Sequence, residues 1–182
     1  IKNGNVFPMF SSLWYNGIEP FRYTAPLPYY LVALLQFFAN GNIMDSYLLF
    51  IGVSFAVGAL GWIMWGVKFN RILLCTIFGV LWAFLPDIAR ATFSEGNISI
   101  ILVNCILPYL LYFLWNFVLY RKTNSIYPII ILTILIALSN IVTAMVICIA
   151  IFVILVIVGF VNKRFIEPIY AIVGMTLSFL VI

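Results

Sequence analysis

The sequence predicts an all-α integral membrane protein, a polytopic helical bundle of about six spans with a short helix lying along one membrane face. Three observations predict it. The 182 residues are 66% hydrophobic and only 8% charged, whereas a soluble domain keeps about a quarter of its residues charged to cover its surface. Apolar runs near the roughly 20 residues needed to cross hydrocarbon recur along the chain, and the mean hydropathy is +1.22. The alternating pattern of a membrane β-barrel is absent. The chain opens Ile1-Lys2-Asn3 without methionine and closes on the apolar stretch "TLSFLVI". It therefore reads as a piece of a longer protein, and residues 1–9 lack the apolar core of a signal peptide.

The expected spans are residues 47–67, 72–85, 98–120, 127–138, 141–161 and 169–182. Between them lie "KFNR" (68–71), "PDIARATFSEGN" (86–97), "RKTNS" (121–125), "SN" (139–140) and "NKRFIEP" (162–168). Short loops rich in Lys and Arg stay cytoplasmic. One orientation places Lys68/Arg71, Arg121/Lys122 and Lys163/Arg164 inside together, provided that residues 127–161 form a hairpin turning near Ser139-Asn140. The inside then carries six bases against Glu167, a net +5. The outside carries Lys2, Arg22 and Arg90 against Glu19, Asp45, Asp87 and Glu95, a net −1.

That orientation leaves residues 1–46 as an external segment and 47–182 as the transmembrane bundle. Residues 27–39 form an apolar run too short to cross, in the length range of interfacial or re-entrant segments. Residues 26–40 are therefore expected as a juxtamembrane helix on the outer face, with Pro26 and Pro28 suited to its start. The net charge of +4 follows from basic loops between spans and implies no nucleic-acid partner. Cys75, Cys105 and Cys148 all fall inside apolar runs, at spacings that match no metal motif, and the chain has no histidine. A histidine-based triad or histidine zinc site is thereby excluded, and neither a phosphate-binding glycine loop nor a dinucleotide fingerprint is present.

Four of the five carboxylates fall on the expected outer side, so the candidate site residues are sought there. "SSLWYNGIEPFRYTAP" (11–26) holds Trp14 and Tyr23, which suit an interfacial aromatic belt. It also holds Glu19 and Arg22, the arginine being able to grip a phosphate through two parallel hydrogen bonds. In 86–97, Asp87 and Arg90 are three residues apart and would pair on a helix. Glu95-Gly96-Asn97 reads as a turn into the next span. As a site, Arg90 would hold a phosphate and Asp87 or Glu95 a sugar hydroxyl or metal. Asn140, at the hairpin tip, falls on the same side and needs no role beyond turning the chain.

Asn3 to Asn42, "NGNVFPMFSSLWYNGIEPFRYTAPLPYYLVALLQFFANGN", resembles the end of the first external loop of GT-C type membrane glycosyltransferases. It most resembles the bacterial 6-pyruvoyl-tetrahydropterin-synthase-related membrane proteins. Gly4, Pro8, Asn16-Gly17, Pro20, Tyr23, the block Pro26-Leu27-Pro28-Tyr29-Tyr30-Leu31 and Gly41 carry the resemblance, with Phe10 where tryptophan is commoner. "FSEGNISIILVNCILPYLL" (93–111), with its mid-run Pro108, is also similar. "ALSNIVTAM" (137–145) has Asn140 where relatives often carry Ser/Thr-His. The resemblance implies a fragment of a GT-C-like fold in the bacterial cytoplasmic membrane. It implies transfer of a sugar from a polyprenyl-phosphate donor to an acceptor on the external face. Such chemistry needs a carboxylate to take or orient the acceptor proton and positive charge on the leaving phosphate, from Arg, Lys or a divalent metal. The usual catalytic carboxylate would lie upstream of Ile1, leaving Glu19, Asp87 and Glu95 as secondary candidates. Phosphate and substrate contacts fall to Arg22, Arg90, Trp14, Tyr23 and Asn140. The alternative is a non-enzymatic membrane protein, a lipid or polymer transporter or an assembly subunit.

Overall fold

The computed structural model describes residues 25–120 and 122–162, and among them every regular element is helical. The order is α1 (Leu27–Leu35), α2 (Ile43–Phe69), α3 (Ile72–Ala83), α4 (Pro86–Ala89) running into a π-helical turn (Arg90–Ser94), α5 (Ile98–Tyr120), a 3₁₀ turn (Thr123–Ser125), α6 (Ile126–Ser139) and α7 (Ile141–Asn162). The expected span at 169–182 lies outside the described residues.

Among the described residues, three helices are long and apolar enough to cross a membrane: α2, α5 and the 141–160 stretch of α7. A fourth span exists if α3 and the Pro86–Ser94 segment are counted as one bent element. This corrects one expectation. Residues 72–85 are not one full span: α3 stops after 12 residues, about 18 Å of rise. The Pro86–Ser94 segment continues as helix after a 53° bend, and residues 95–97 leave it as the turn that the sequence suggests. Proline is the cause. It forces the residue before it out of helical geometry, and Leu85 sits at φ −54°, ψ 138°. Proline then suits the first turn of the next helix. Helix α6, at 14 residues, also falls short of the roughly 20 that crossing requires.

α2 begins four residues earlier than hydropathy suggests because Asn42 caps it. The Asn42 Oδ1 accepts from the Met44 N–H at 3.0 Å and its Nδ2 donates to Asp45 Oδ2 at 2.8 Å. Asp45 is thus a partner of the cap, near the positive end of the helix dipole. Asn40 (φ 50°) and Gly41 (φ 80°) make the left-handed turn that leads into it. α1 has nine residues, about 14 Å, and cannot cross. It packs against α2, α5 and α6.

α5 is the central helix. It touches α2 and α6 along its length, and α3 packs on α2, α7 on α6. Hydrocarbon offers no hydrophobic drive between helices, so close approach and hydrogen bonds hold them. The Tyr109 hydroxyl donates to the Val57 carbonyl at 2.6 Å, and Trp65 Nε1 to the Pro108 carbonyl at 3.0 Å. Glycines on α2 let the backbones meet: a Cβ on Gly61 would lie 2.9 Å from Pro108 Cβ. The buried core runs from Ile101 through Leu110 and Phe117 on α5 to Ile129 and Ile136 on α6 and Ile151 and Leu155 on α7.

The 23 residues of α5 rise about 34 Å, close to the thickness of a hydrocarbon core. One end of this axis holds the Glu95-Gly96-Asn97 turn. At the other, Lys68 hydrogen-bonds the buried Asn116 Oδ1 and its ammonium lies 4.5 Å from the Tyr120 ring centroid and 4.9 Å from that of Tyr112. The carboxylate-bearing turn and Lys68 therefore occupy opposite ends of the bundle.

Candidate functional site

The candidate site is built at the α5 N-terminal end. Its frame is the Pro86–Ser94 segment, pinned by Ile88, Ala91 and Thr92, all buried. Thr92 Oγ1 donates to the Ile88 carbonyl at 2.8 Å. The π turn closes with the Glu95 N–H on the Arg90 carbonyl at 3.0 Å and the Asn97 N–H on the Ala91 carbonyl at 2.8 Å. The second bond spans one residue more than the six-to-one bond of an ordinary helix stop, and Gly96, just inside it, takes the left-handed conformation at φ 61°. Tyr47, reaching from α2, donates its hydroxyl to the Thr92 carbonyl at 2.8 Å. Asn97 then starts α5 by accepting the Ile100 N–H at 3.2 Å. Isolated π turns recur at functional sites because they re-aim side chains out of the regular helix.

What this frame aims is a charged trio. Arg90 Nε lies 3.1 Å from Glu95 Oε1, and its NH2 lies 3.7 Å from Asp87 Oδ1. The sequence-based pairing of Asp87 with Arg90 is present, and the π turn adds Glu95 to it. The Arg90 and Asp87 side chains are largely open to solvent and that of Glu95 nearly half so, so each ion pair is worth about 0–1 kcal/mol. The arrangement orients Arg90 without locking it.

Glu95 also lines a cleft of about 400 Å³ with Ala25, Tyr29, Gly96, Asn97, Ser99 and Asn140. Asn140 is the single extended residue between α6 and α7. Its Oδ1 accepts the Thr143 N–H at 3.0 Å and so caps α7. A structural role for Asn140 and a place in the cleft are thus compatible. Of the residues singled out in the sequence, Asp87, Arg90, Glu95 and Asn140 are brought to one end of the bundle. Trp14, Glu19, Arg22 and Tyr23 lie outside the described residues. Tyr29, Asn97 and Ser99 were not singled out. Only the Pro-Leu-Pro-Tyr-Tyr-Leu block pointed toward Tyr29, and nothing in the local pattern distinguishes Ser99 from an ordinary span residue. No group of three or more Cys, Asp or Glu side chains that could hold a metal ion occurs among the described residues.

Residues 21–182 match the family model described as the 6-pyruvoyl-tetrahydropterin synthase related domain, a membrane protein family. The chain belongs to this family. The match takes in Arg22, Tyr23 and the whole of the cleft, and leaves Trp14 and Glu19 before it. No curated protein and no solved structure matches the chain.

Proposed function

We propose that this family member is a membrane glycosyltransferase that uses a polyprenyl-phosphate-linked sugar on the extracytoplasmic face, at the cleft beside Glu95. The observation that carries the reading is the placement of Arg90 between two carboxylates, one of which, Glu95, lines a polar cleft, at the bundle end opposite Lys68. Sugar transfer from a lipid phosphate develops negative charge on the leaving oxygen, and an oriented guanidinium answers that charge. Because its ion pairs are exposed and weak, Arg90 can turn to a phosphate at small cost. Glu95, released from Arg90 by that move, is free to orient or deprotonate an acceptor hydroxyl. Asn140 and Asn97 present amides to sugar hydroxyls. The outward orientation rests on the basic loops at Lys68/Arg71 and Arg121/Lys122, which the positive-inside rule assigns to the cytoplasm. The resemblance of the Asn3–Asn42 segment to GT-C enzymes supports the reaction class.

The test is transfer of a radiolabelled sugar from its polyprenyl phosphate into acceptor, with full-length protein in inverted and right-side-out vesicles. Arg90→Ala is expected to lower turnover by one hundredfold or more while protein level is unchanged, in line with removal of a group that stabilises developing charge. Transfer that survives Arg90→Ala and Glu95→Gln together would remove the cleft from the reaction.

A further inference from the structure

The bundle end opposite the cleft carries a basic pair that the proposed reaction does not use. Lys68 is the next-to-last residue of α2. Its ammonium donates to the side chain of the buried Asn116 and lies over the Tyr112 and Tyr120 rings. The main-chain oxygen of the same Asn116 accepts the Lys122 N–H at 3.4 Å. One residue of α5 thus gathers both lysines, and their charges are close enough to repel one another. Among the described residues no carboxylate answers them. Asp45 is held by Asn42 at the other end of α2, and Asp87 and Glu95 face Arg90 at the cleft. The last carbonyls of α2 and α5 point toward the pair, but a helix end offers only about half a charge. Asn116 is neutral and leaves the Lys68 ammonium further N–H donors to give. Asn116 and the rings hold that ammonium in place, so a ligand meets it already ordered.

Depth and surroundings say what the ligand is. The 27 residues of α2 rise about 40 Å, close to the thickness of a bilayer with its headgroup layers. Lys68, at one end, therefore stands at headgroup level. Tyr112, Asn116 and Tyr120 form the row of α5 that faces it. The neighbouring row, Leu111, Trp115 and Leu119, repeats at the same four-residue step and is exposed. Its Trp115 packs against Phe69, next in sequence to Lys68, with ring centroids 5.9 Å apart. An open apolar strip thus runs from the basic pair toward the membrane middle. We propose that Lys68 and Lys122 bind the phosphate of a glycerophospholipid with a net negative headgroup, in the leaflet on the Lys68 side, with one acyl chain along Leu111, Trp115 and Leu119. The phosphate gives both ammonium groups charge-assisted hydrogen bonds. A choline or ethanolamine headgroup brings a positive charge back beside the pair and is disfavoured. A soluble phosphate has no chain to lay on the strip. The site lies apart from the cleft and does not rest on the proposed transfer reaction.

The experiment is native mass spectrometry of the full-length protein in detergent, titrated with phosphatidylglycerol or with phosphatidylcholine of the same acyl chains. The readout is the Kd of the first lipid bound. Attraction between an anionic lipid and one nearby basic side chain is worth about fivefold in affinity. Phosphatidylglycerol should therefore bind at least tenfold more tightly than phosphatidylcholine. Lys122→Gln, at an exposed position where the fold does not depend on the side chain, should reduce that preference about fivefold. Lys68→Met with Asn116→Leu removes the other charge together with its buried acceptor, and should reduce it by a similar factor. Equal affinity for the two lipids, or a preference unchanged by Lys122→Gln, overturns the site. A preference lost in Lys122→Gln but kept in the Lys68→Met, Asn116→Leu protein overturns the role of Lys68. Displacement of phosphatidylglycerol by an equal concentration of glycerophosphoglycerol, the headgroup without its chains, overturns the choice of a lipid.

Discussion

Replacing single glycines of α2 by alanine should separate the close-packed seams of the bundle from its open ones. A methyl on Gly66 would lie 2.7 Å from the Ile72 Cα, a backbone atom of the next helix. It can be accommodated only by moving α3, whose start is fixed by the Arg71 N–H on the Gly66 carbonyl at 2.8 Å. A methyl on Gly61 would meet Pro108 at 2.9 Å and the Tyr109 ring at 3.0 Å, and that ring is held by its hydroxyl bond to Val57. On Gly58 the nearest atom is the Cys105 Cα at 3.5 Å, ordinary contact. Overpacking costs about 1–3 kcal/mol, while alanine in place of helical glycine returns about 1 kcal/mol. Gly66→Ala and Gly61→Ala should therefore lose up to about 2 kcal/mol net, and Gly58→Ala should be neutral or gain up to about 1 kcal/mol. Unfolding by sodium dodecyl sulfate in mixed micelles, followed by circular dichroism, measures the order. The packing of α2 on α3 and α5 would be refuted if Gly58→Ala were the most damaging of the three, or if Gly66→Ala were more stable than the wild type.

The other predictions concern polar contacts. Lys68→Met should cost about 1–3 kcal/mol by leaving the buried Asn116 carbonyl oxygen unpaired, and adding Asn116→Leu should recover most of that loss in the same unfolding assay. Asn140→Ala removes the cap of α7 and should cost about 1 kcal/mol; Asn140→Asp, which keeps a capping oxygen, should not. In the transfer assay, Asp87→Asn should matter less than tenfold, because its oxygen stands 3.7 Å from Arg90 against 3.1 Å for Glu95, while Glu95→Gln should lower turnover far more than it raises KM.

The long helices were legible because crossing hydrocarbon demands a length that hydropathy reports directly, as α2, α5 and α7 illustrate. Prolines marked the start of α1 and the break at Leu85-Pro86, and the three-residue spacing of Asp87 and Arg90 already suited the helical segment that follows. Arg90, at the start of the π turn, pairs with Asp87 before it and with Glu95 just beyond the end of the turn. The π turn was not legible, since it arises from the fit of Ile88, Ala91 and Thr92 into the bundle and from the Tyr47 hydroxyl, a tertiary contact. For the same reason the pairing of Lys68 with Asn116, 48 residues apart, left no local trace. Asn140 was legible as a break, though its place beside Glu95 depends on how α6 and α7 return to the head of α5.

The arrangement of the two bundle ends across the membrane is tested most directly by cysteine labelling in intact cells. Ser94→Cys and Asn70→Cys, both exposed positions, are introduced singly into a background with Cys75, Cys105 and Cys148 replaced. A membrane-impermeant maleimide should label Ser94→Cys in intact cells and Asn70→Cys only after the membrane is opened. Labelling of both from the same side would contradict the account.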